Sequence, residues 1–273
     1  RQASLTGWIM ASGGLGALAA AKPLEIALGF TGWREIVFAL AAVTLLVAAL
    51  LWRLVPDKPS EGRSPGFAEQ MAGVRQIFAS PHFWRYAPMG FCFTGGFMAV
   101  QGLWASRWMN VLEQLDATAV AARLTWMGVA MLGGFLFMGF FATALVHRGV
   151  PLEKLFRAAM ITAFAAFAAI CVHPAWAGDW LWPLLGACFS LSNIAYSLVA
   201  QAFPPTMSGR ANTALNLLVF FGAFGLQWGI GGFVDALQAA GQDTATAYRT
   251  AFYSLLGLQA LAMLWFLRPR RMV

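Results

Sequence analysis

The chain has 273 residues, 60% apolar and 11% charged, with a mean hydropathy of +0.67 and a formal charge of +7. A soluble domain carries about 25% charged residues, so this composition excludes a soluble enzyme and a disordered chain. The positive charge lies in no run longer than two and forms no basic stripe, which excludes a nucleic-acid binder. The three cysteines, Cys92, Cys171 and Cys188, are far apart inside apolar runs and form neither a metal spacing nor a disulfide framework. The chain begins with Arg1, with no signal-peptide pattern before its first apolar run, and reads as a fragment or processed chain.

A hydrocarbon core about 30 Å thick needs about 20 apolar helical residues. Eight windows meet that requirement: 5–28, 35–54, 84–108, 124–146, 156–173, 180–203, 212–236 and 250–267. The runs are continuous, not alternating, which excludes a transmembrane β-barrel. An even number of spans divides the 18 Lys and Arg unevenly. One face takes thirteen: Arg1, Arg53, Lys58, Arg63, Arg75, Arg85, Arg148, Lys154, Arg157, Arg210, Arg268, Arg270 and Arg271. The other takes five: Lys22, Arg34, Arg107, Arg123 and Arg249. The richer face is expected to be cytoplasmic, with both termini on it.

The polar connection 55–83 opens with the helix-breaking run Pro56-Asp57-Lys58-Pro59-Ser60. Phe67, Met71, Val74 and Phe78 then recur at helical spacing, which predicts a short amphipathic helix, either on the membrane surface or as an ordinary linker helix. Downstream, polar residues concentrate in certain spans. The 180–203 window carries Ser190, Asn193, Ser197 and Gln201 at helical spacing, with Tyr196 beside them. The 212–236 window carries Asn212, Asn216 and Gln227, and 84–108 carries Thr94, Gln101 and Trp104. The 35–54 and 156–173 windows are nearly featureless, and the last span holds Ser254 and Gln259. Amides in hydrocarbon need partners or water, so the striped spans are expected to face the bundle interior. At 1.5 Å per residue, Asn193 and Gln227 each lie roughly 20 Å from one end of their helices, near mid-depth. These residues either touch a solute or hold neighbouring helices together, a use worth about 0.6 kcal/mol each.

No Asp, Glu, Lys, Arg or His falls at the centre of a window. Lys22 and Glu25 share a face near one end of the first span and read as an interfacial ion pair. Arg107 and Arg123 read either as plain loop charges or as rim charges attracting anions, and His82, His147 and His173 lie at span edges with no carboxylate at ligand spacing. A proton-carrying residue is therefore expected in helices preceding this stretch, unless coupling is not to protons.

Two stretches repeat. Gly7-Trp-Ile-Met-Ala-Ser-Gly13-Gly-Leu-Gly16 matches Asn216-Leu-Leu-Val-Phe-Phe-Gly222-Ala-Phe-Gly225 in its Gly-x-x-Gly step. Each is followed by an aromatic-Arg pair, Trp33-Arg34 or Tyr248-Arg249, and then by an apolar helix with a basic, proline-containing end. Six spans separate the copies, so spans one and two correspond to spans seven and eight. A six-helix unit repeated in parallel is a recognised transporter plan.

On these residues the chain resembles the major facilitator superfamily. Gly7, Gly13, Gly16 and Pro23 resemble the glycine-and-proline motif of that fold's fifth helix, with Lys22-Pro23 in place of Gly-Pro. Gly139 through Gly149 resembles the second copy of its short cytoplasmic loop motif, with Thr143 and Ala144 at the acidic and basic positions. Phe203 through Asn216, including Gly209 and Arg210, resembles the loop before the eleventh helix.

The resemblance implies an all-α integral membrane bundle with eight transmembrane helices present of twelve. Residues 1–55 would supply the last two helices of the N-terminal half, 56–83 the central cytoplasmic loop, and 84–273 a complete C-terminal half. It implies a secondary active transporter in the bacterial inner membrane that moves a small polar solute by alternating access, works as a monomer and needs no cofactor. Gln101, Trp104, Asn193, Tyr196 and Gln227 are the expected substrate contacts, and Gly139, Gly149 and Arg210 the expected gating or loop residues. The alternatives are an integral-membrane enzyme and a non-transporting sensor on the same scaffold. Against the enzyme, the chain has no P-loop, no HExxH, no Gly-x-Ser-x-Gly and no clustered carboxylates.

Overall fold

Apolar runs of this length must close their backbone hydrogen bonds within the segment, and every regular element among the described residues is helical. The computed structural model describes residues 2–19, 26–56, 66–172 and 178–268. The expectations for Arg1, Lys22, Pro23, Glu25, Lys58, Arg63, His173, Arg270 and Arg271 fall outside the described residues. Contacts divide the chain into two units, Arg1–Ala11 with Ala72–Val273, and Ser12–Met71.

The elements in chain order begin with α1 (Gln2–Ala19), α2 (Trp33–Leu54) and α3 (Phe67–Phe78). Helix α2 buries no residue. Its one mid-span polar group, the Thr44 hydroxyl, donates to Leu40 O at 2.8 Å, so the helix satisfies itself. Helix α4 (81–111) is a continuous rod of five pieces: Pro81–Met89, a π-helical turn Gly90–Gly95, Gly96–Ala99, a second π turn Val100–Trp104, and Ala105–Val111. Then come α5 (Ala117–His147), α6 (Leu152–Val172), α7 (Gly178–Ser192), α8 (Ile194–Ala200), a 3-10 turn Pro205–Met207, α9 (Ser208–Ala239) and α10 (Thr244–Leu267). Among the described residues six helices are long and apolar enough to cross a membrane: Trp33–Leu54, Ala117–His147, Leu152–Val172, Asp179–Ala200, Pro205–Ala239 and Thr244–Leu267. The observed helices reach beyond several expected windows, because the capping and turn residues, not the hydropathy, set their ends.

Those ends have local causes. Asp116 accepts from Ala119 N at 2.8 Å and caps α5. Asp243 accepts from Thr246 N at 3.1 Å and caps α10. Gly149, at φ +82°, turns the chain after α5, where Gly149 N and Val150 N donate to the Val146 and Leu145 carbonyls. Gly241, at φ +91°, does the same after α9.

Packing in the larger unit depends on close backbone approach. Helix α9 lies against the first π turn of α4. A Cβ on Gly95 would stand 2.6 Å from Val219 O and 2.8 Å from Ala223 N. A Cβ on Gly222 would in turn run into the Phe91 carbonyl. Helix α7 packs along α5 in the same way, with Gly134 facing Ser190 and Gly186 facing the Met127 carbonyl. Aromatic stacking fills the layers between helices: Phe97 on Phe189 with centroids 4.1 Å apart, and Trp108 on Phe252 at 4.2 Å.

Gly95→Val pushes backbone against backbone, which no rotamer change relieves. It is expected to cost about 1–3 kcal/mol, read as a lowered thermal midpoint of the purified protein in detergent. Asp243 gives a second test. Hydrogen bonds from the Thr246 side chain and amide hold its carboxyl below the usual carboxylate range. The stabilisation is therefore present above that range and is lost as pH falls through the lowered pKa. The protection factor of the Thr246 amide, its exchange rate corrected for the intrinsic pH dependence, should fall on acidification through the lowered pKa, and should not respond to acid in Asp243→Asn.

Candidate functional site

The polar residues of α4, α7, α8 and α9 gather in three places. The largest is an open chamber of about 500 Å³ lined by Trp104, Phe224, Gln227, Trp228, Asp235 and the small Gly231–Gly232 step. Trp104 is nearly buried, and its indole Nε1 donates to Gln227 O at 2.9 Å. Its ring lies over Gly231, where a Cβ would stand 3.1 Å away. The Gln227 carboxamide thus stays free of the Trp104 bond. Its Oε1 lies 3.9 Å from where a Cβ on Gly102 would stand.

A second open chamber, about 330 Å³, lies toward the other end of α9 and is lined by Ile9, Met10, Tyr196, Asn212, Thr213 and Asn216. Here the Tyr196 hydroxyl donates to Asn216 Oδ1 at 2.8 Å, which ties α8 to α9. Asn216 and Gln227 are eleven positions apart, roughly 16 Å along the helix. Between them the exposed rings of Phe220 and Phe224 stack with centroids 6.4 Å apart.

Asn193 sits in neither chamber. It occupies the break between α7 and α8, where its amide donates to Ser190 O at 3.4 Å. It lines a gap of about 10 Å³ with Gly7, Met10, Phe135, Met138 and Ile194, room for no more than a water. Gln101 is half-buried in the second π turn and lines neither chamber. The structure therefore brings Trp104 to Gln227 and Tyr196 to Asn216, and leaves Gln101 and Asn193 apart from both pairs.

The loop residues have separate positions. Gly139 lies at a crossing of α1 and α5. A Cβ on Gly7 would stand 2.5 Å from Gly139 N, and one on Gly139 would stand 3.2 Å from the Trp8 ring. Gly149 is the positive-φ turn described above. Arg210, at the start of α9, lays its guanidinium over Gly73 of α3; a Cβ there would be 2.9 Å from Nη1. Ile77 of α3 is fully buried, whereas Phe67 and Met71 of the expected apolar stripe are exposed.

Charges clasp the two ends of the bundle. At one end Arg123 pairs with both Glu113 and Asp179, while Trp182 Nε1 donates to the other Glu113 oxygen at 3.0 Å. Glu113 is almost wholly buried. At the opposite end Glu153 accepts from Arg85 at 3.0 Å and Arg157 at 3.4 Å, and Arg85 also covers the Phe266 ring. Sequence reading took Arg123 as a loop or rim charge and gave Glu113 no role. The 10-residue separation across a turn carries no helical-face signal for that pair.

The arrangement is a set of apolar helices with two polar openings and no clustered metal-ligating groups among the described residues. A family model described as Major Facilitator Superfamily matches residues 1–226. The chain belongs to the major facilitator superfamily. It is accordingly a multi-pass membrane protein of a transporter family. Two solved structures are similar to it, both titled as a bacterial homologue of the human lysosomal transporter Spinster. The inward-facing, unoccupied form is 17% identical with a TM-score of 0.50, over 97% of this chain and 64% of that one. The inward-facing, occupied form is 18% identical with a TM-score of 0.46, over 97% of this chain and 63% of that one. The facilitator chain thus spans somewhat under two thirds of those proteins. Comparison with curated proteins gives no match.

Two substitutions separate strong from weak contacts in this facilitator. Glu113→Ala leaves Arg123 and the Trp182 indole short of a partner and is expected to cost about 1–3 kcal/mol. Tyr196→Phe removes one interhelical hydrogen bond and should cost about 0.6 kcal/mol. Denaturation in mixed micelles compares them, and the first should exceed the second.

Proposed function

We propose that the protein is a secondary active transporter that moves a small polar solute by alternating access between two helix bundles. The observation that carries this reading is the pair of chambers along α9, of about 330 and 500 Å³, each with free polar groups and separated by the Phe220–Phe224 pair. A solute leaving one chamber for the other would pass the exposed rings of Phe220 and Phe224. Rocking of bundles that opens one end while closing the other is the transport plan such a layout supports. In this reading Trp104 and Gln227 contact solute in the larger chamber and Tyr196 in the smaller one. Gln101 and Asn193 act at the helix irregularities beside them. Gly139, Gly149 and Arg210 shape the loops that move.

The reading also assigns eight membrane-crossing helices of twelve to this chain. Residues 1–55 belong to the N-terminal half, 56–83 to the central loop and 84–273 to the C-terminal half. Both termini face the cytoplasm, the membrane is the bacterial inner membrane, and the working unit is a monomer without cofactor or nucleic acid.

The test is solute flux into vesicles containing the full-length protein. Gln227→Ala and Tyr196→Ala are each expected to lower initial uptake at least several-fold while leaving the amount of folded protein unchanged. Unaltered kinetics across alanine variants of Gln101, Trp104, Asn193, Tyr196 and Gln227 would refute the site, and turnover of a substrate without flux would refute the transporter.

A further inference from the structure

One buried group has no use in either chamber. Gln259 of α10 is only 6% exposed. Its amide Nε2 donates to Cys92 O, in the first π turn of α4, at 3.2 Å. That bond settles the orientation of the carboxamide, because a carbonyl can only accept. The other end, Oε1, is buried with no partner in the protein.

Gln259 lines a cavity of about 20 Å³ whose walls are chiefly Phe93, Phe97, Phe167, Phe189 and Met160. The second polar group on that wall is Ser192. Its hydroxyl accepts from Thr94 at 3.1 Å and donates to Phe189 O at 2.6 Å, which leaves one lone pair.

We propose that this cavity binds one water molecule, which donates one proton to Gln259 Oε1 and the other to Ser192 Oγ, and so joins α10 and α7 beside the π turn of α4. Volume and chemistry select the occupant. One water needs about 10–15 Å³ by this measure and at least two polar partners. An organic ligand does not fit in about 20 Å³. A hard metal cation requires six or more oxygen ligands, and two polar side chains in an aromatic shell do not supply them. The site is enclosed by helices of the larger unit, so it does not depend on whether the chambers carry solute.

Hydroxyl-radical footprinting by X-ray radiolysis tests the assignment, because bound water is converted to the radical in place. The chain is reconstituted in lipid nanodiscs and oxidation is read by mass spectrometry. Met160 and Met127 are both 1% exposed, but only Met160 lines the cavity. Met160 sulfoxide is expected to form at least several-fold faster than Met127 sulfoxide. Gln259→Leu, which removes the acceptor, should reduce Met160 to the Met127 rate. Equal rates in the unaltered chain, or undiminished Met160 labelling in Gln259→Leu, overturn the proposal. If Gln259→Leu does not elute as a folded species, Ser192→Ala and Gln259→Met make the same comparison with smaller changes in packing, and undiminished Met160 labelling in them counts against the site equally.

Discussion

In hydrocarbon a backbone carbonyl has no water to turn to, so a helix can widen into π turns only where other groups complete its hydrogen bonding. Helix α4 widens twice; at the first turn a neighbouring side chain donates to one of its carbonyls, and the second turn sends a donor out to α9. At Gly90–Gly95 the Gln259 amide from α10 reaches Cys92 O. At Val100–Trp104 the Trp104 indole leaves its own helix and bonds Gln227 O on α9. Each irregular turn carries a side-chain bond between α4 and a neighbour, one deep in the core and one at the edge of the larger chamber. The same need for partners makes the polar groups of this bundle few and specific in position.

Glycine sets how closely those helices approach. At Gly95 and Gly222 the backbones of α4 and α9 meet with no side chain between them, and Gly134 and Gly186 do the same for α7 on α5. Lipid tails are as apolar as the helix surfaces, so association depends on close van der Waals contact more than on the expulsion of water. The ion clusters lie outside that apolar middle. Arg123 with Glu113 and Asp179 holds one end, and Glu153 with Arg85 and Arg157 the other. Among the described residues the centre is left free of fixed charge, and its polar character comes from amides, hydroxyls and indoles.

Helical architecture was legible in the sequence because hydropathy runs of twenty residues have few alternative structures. The assignment of faces was less legible. The last span holds Ser254 and Gln259, too few polar residues to mark a face. Yet Gln259, Phe252, Leu255 and Phe266 form a buried face. Lipid and protein core are both apolar, so composition cannot tell which side of such a helix faces which. The site residues show the same limit. Tyr196 was placed beside the polar stripe, but its bond to Asn216 depends on how α8 meets α9. Asn193 fitted the stripe by spacing, but it sits at the junction of α7 and α8, where its amide turns back to Ser190 O and not toward a chamber.

From its residues alone the chain was determined as a helical membrane protein of a recognisable family, with its polar residues confined to a few of its apolar stretches. That follows because the bilayer imposes a length and a period that a linear pattern records. Only the tertiary structure decided which of those residues meet. It set Trp104 against Gln227 and Tyr196 against Asn216, placed the stacked phenylalanines between the two chambers, and buried Gln259 with one oxygen unpartnered. Such pairings join positions 20 to 167 residues apart. Their geometry is set by helix crossings at glycine, which leave no periodic trace in the sequence.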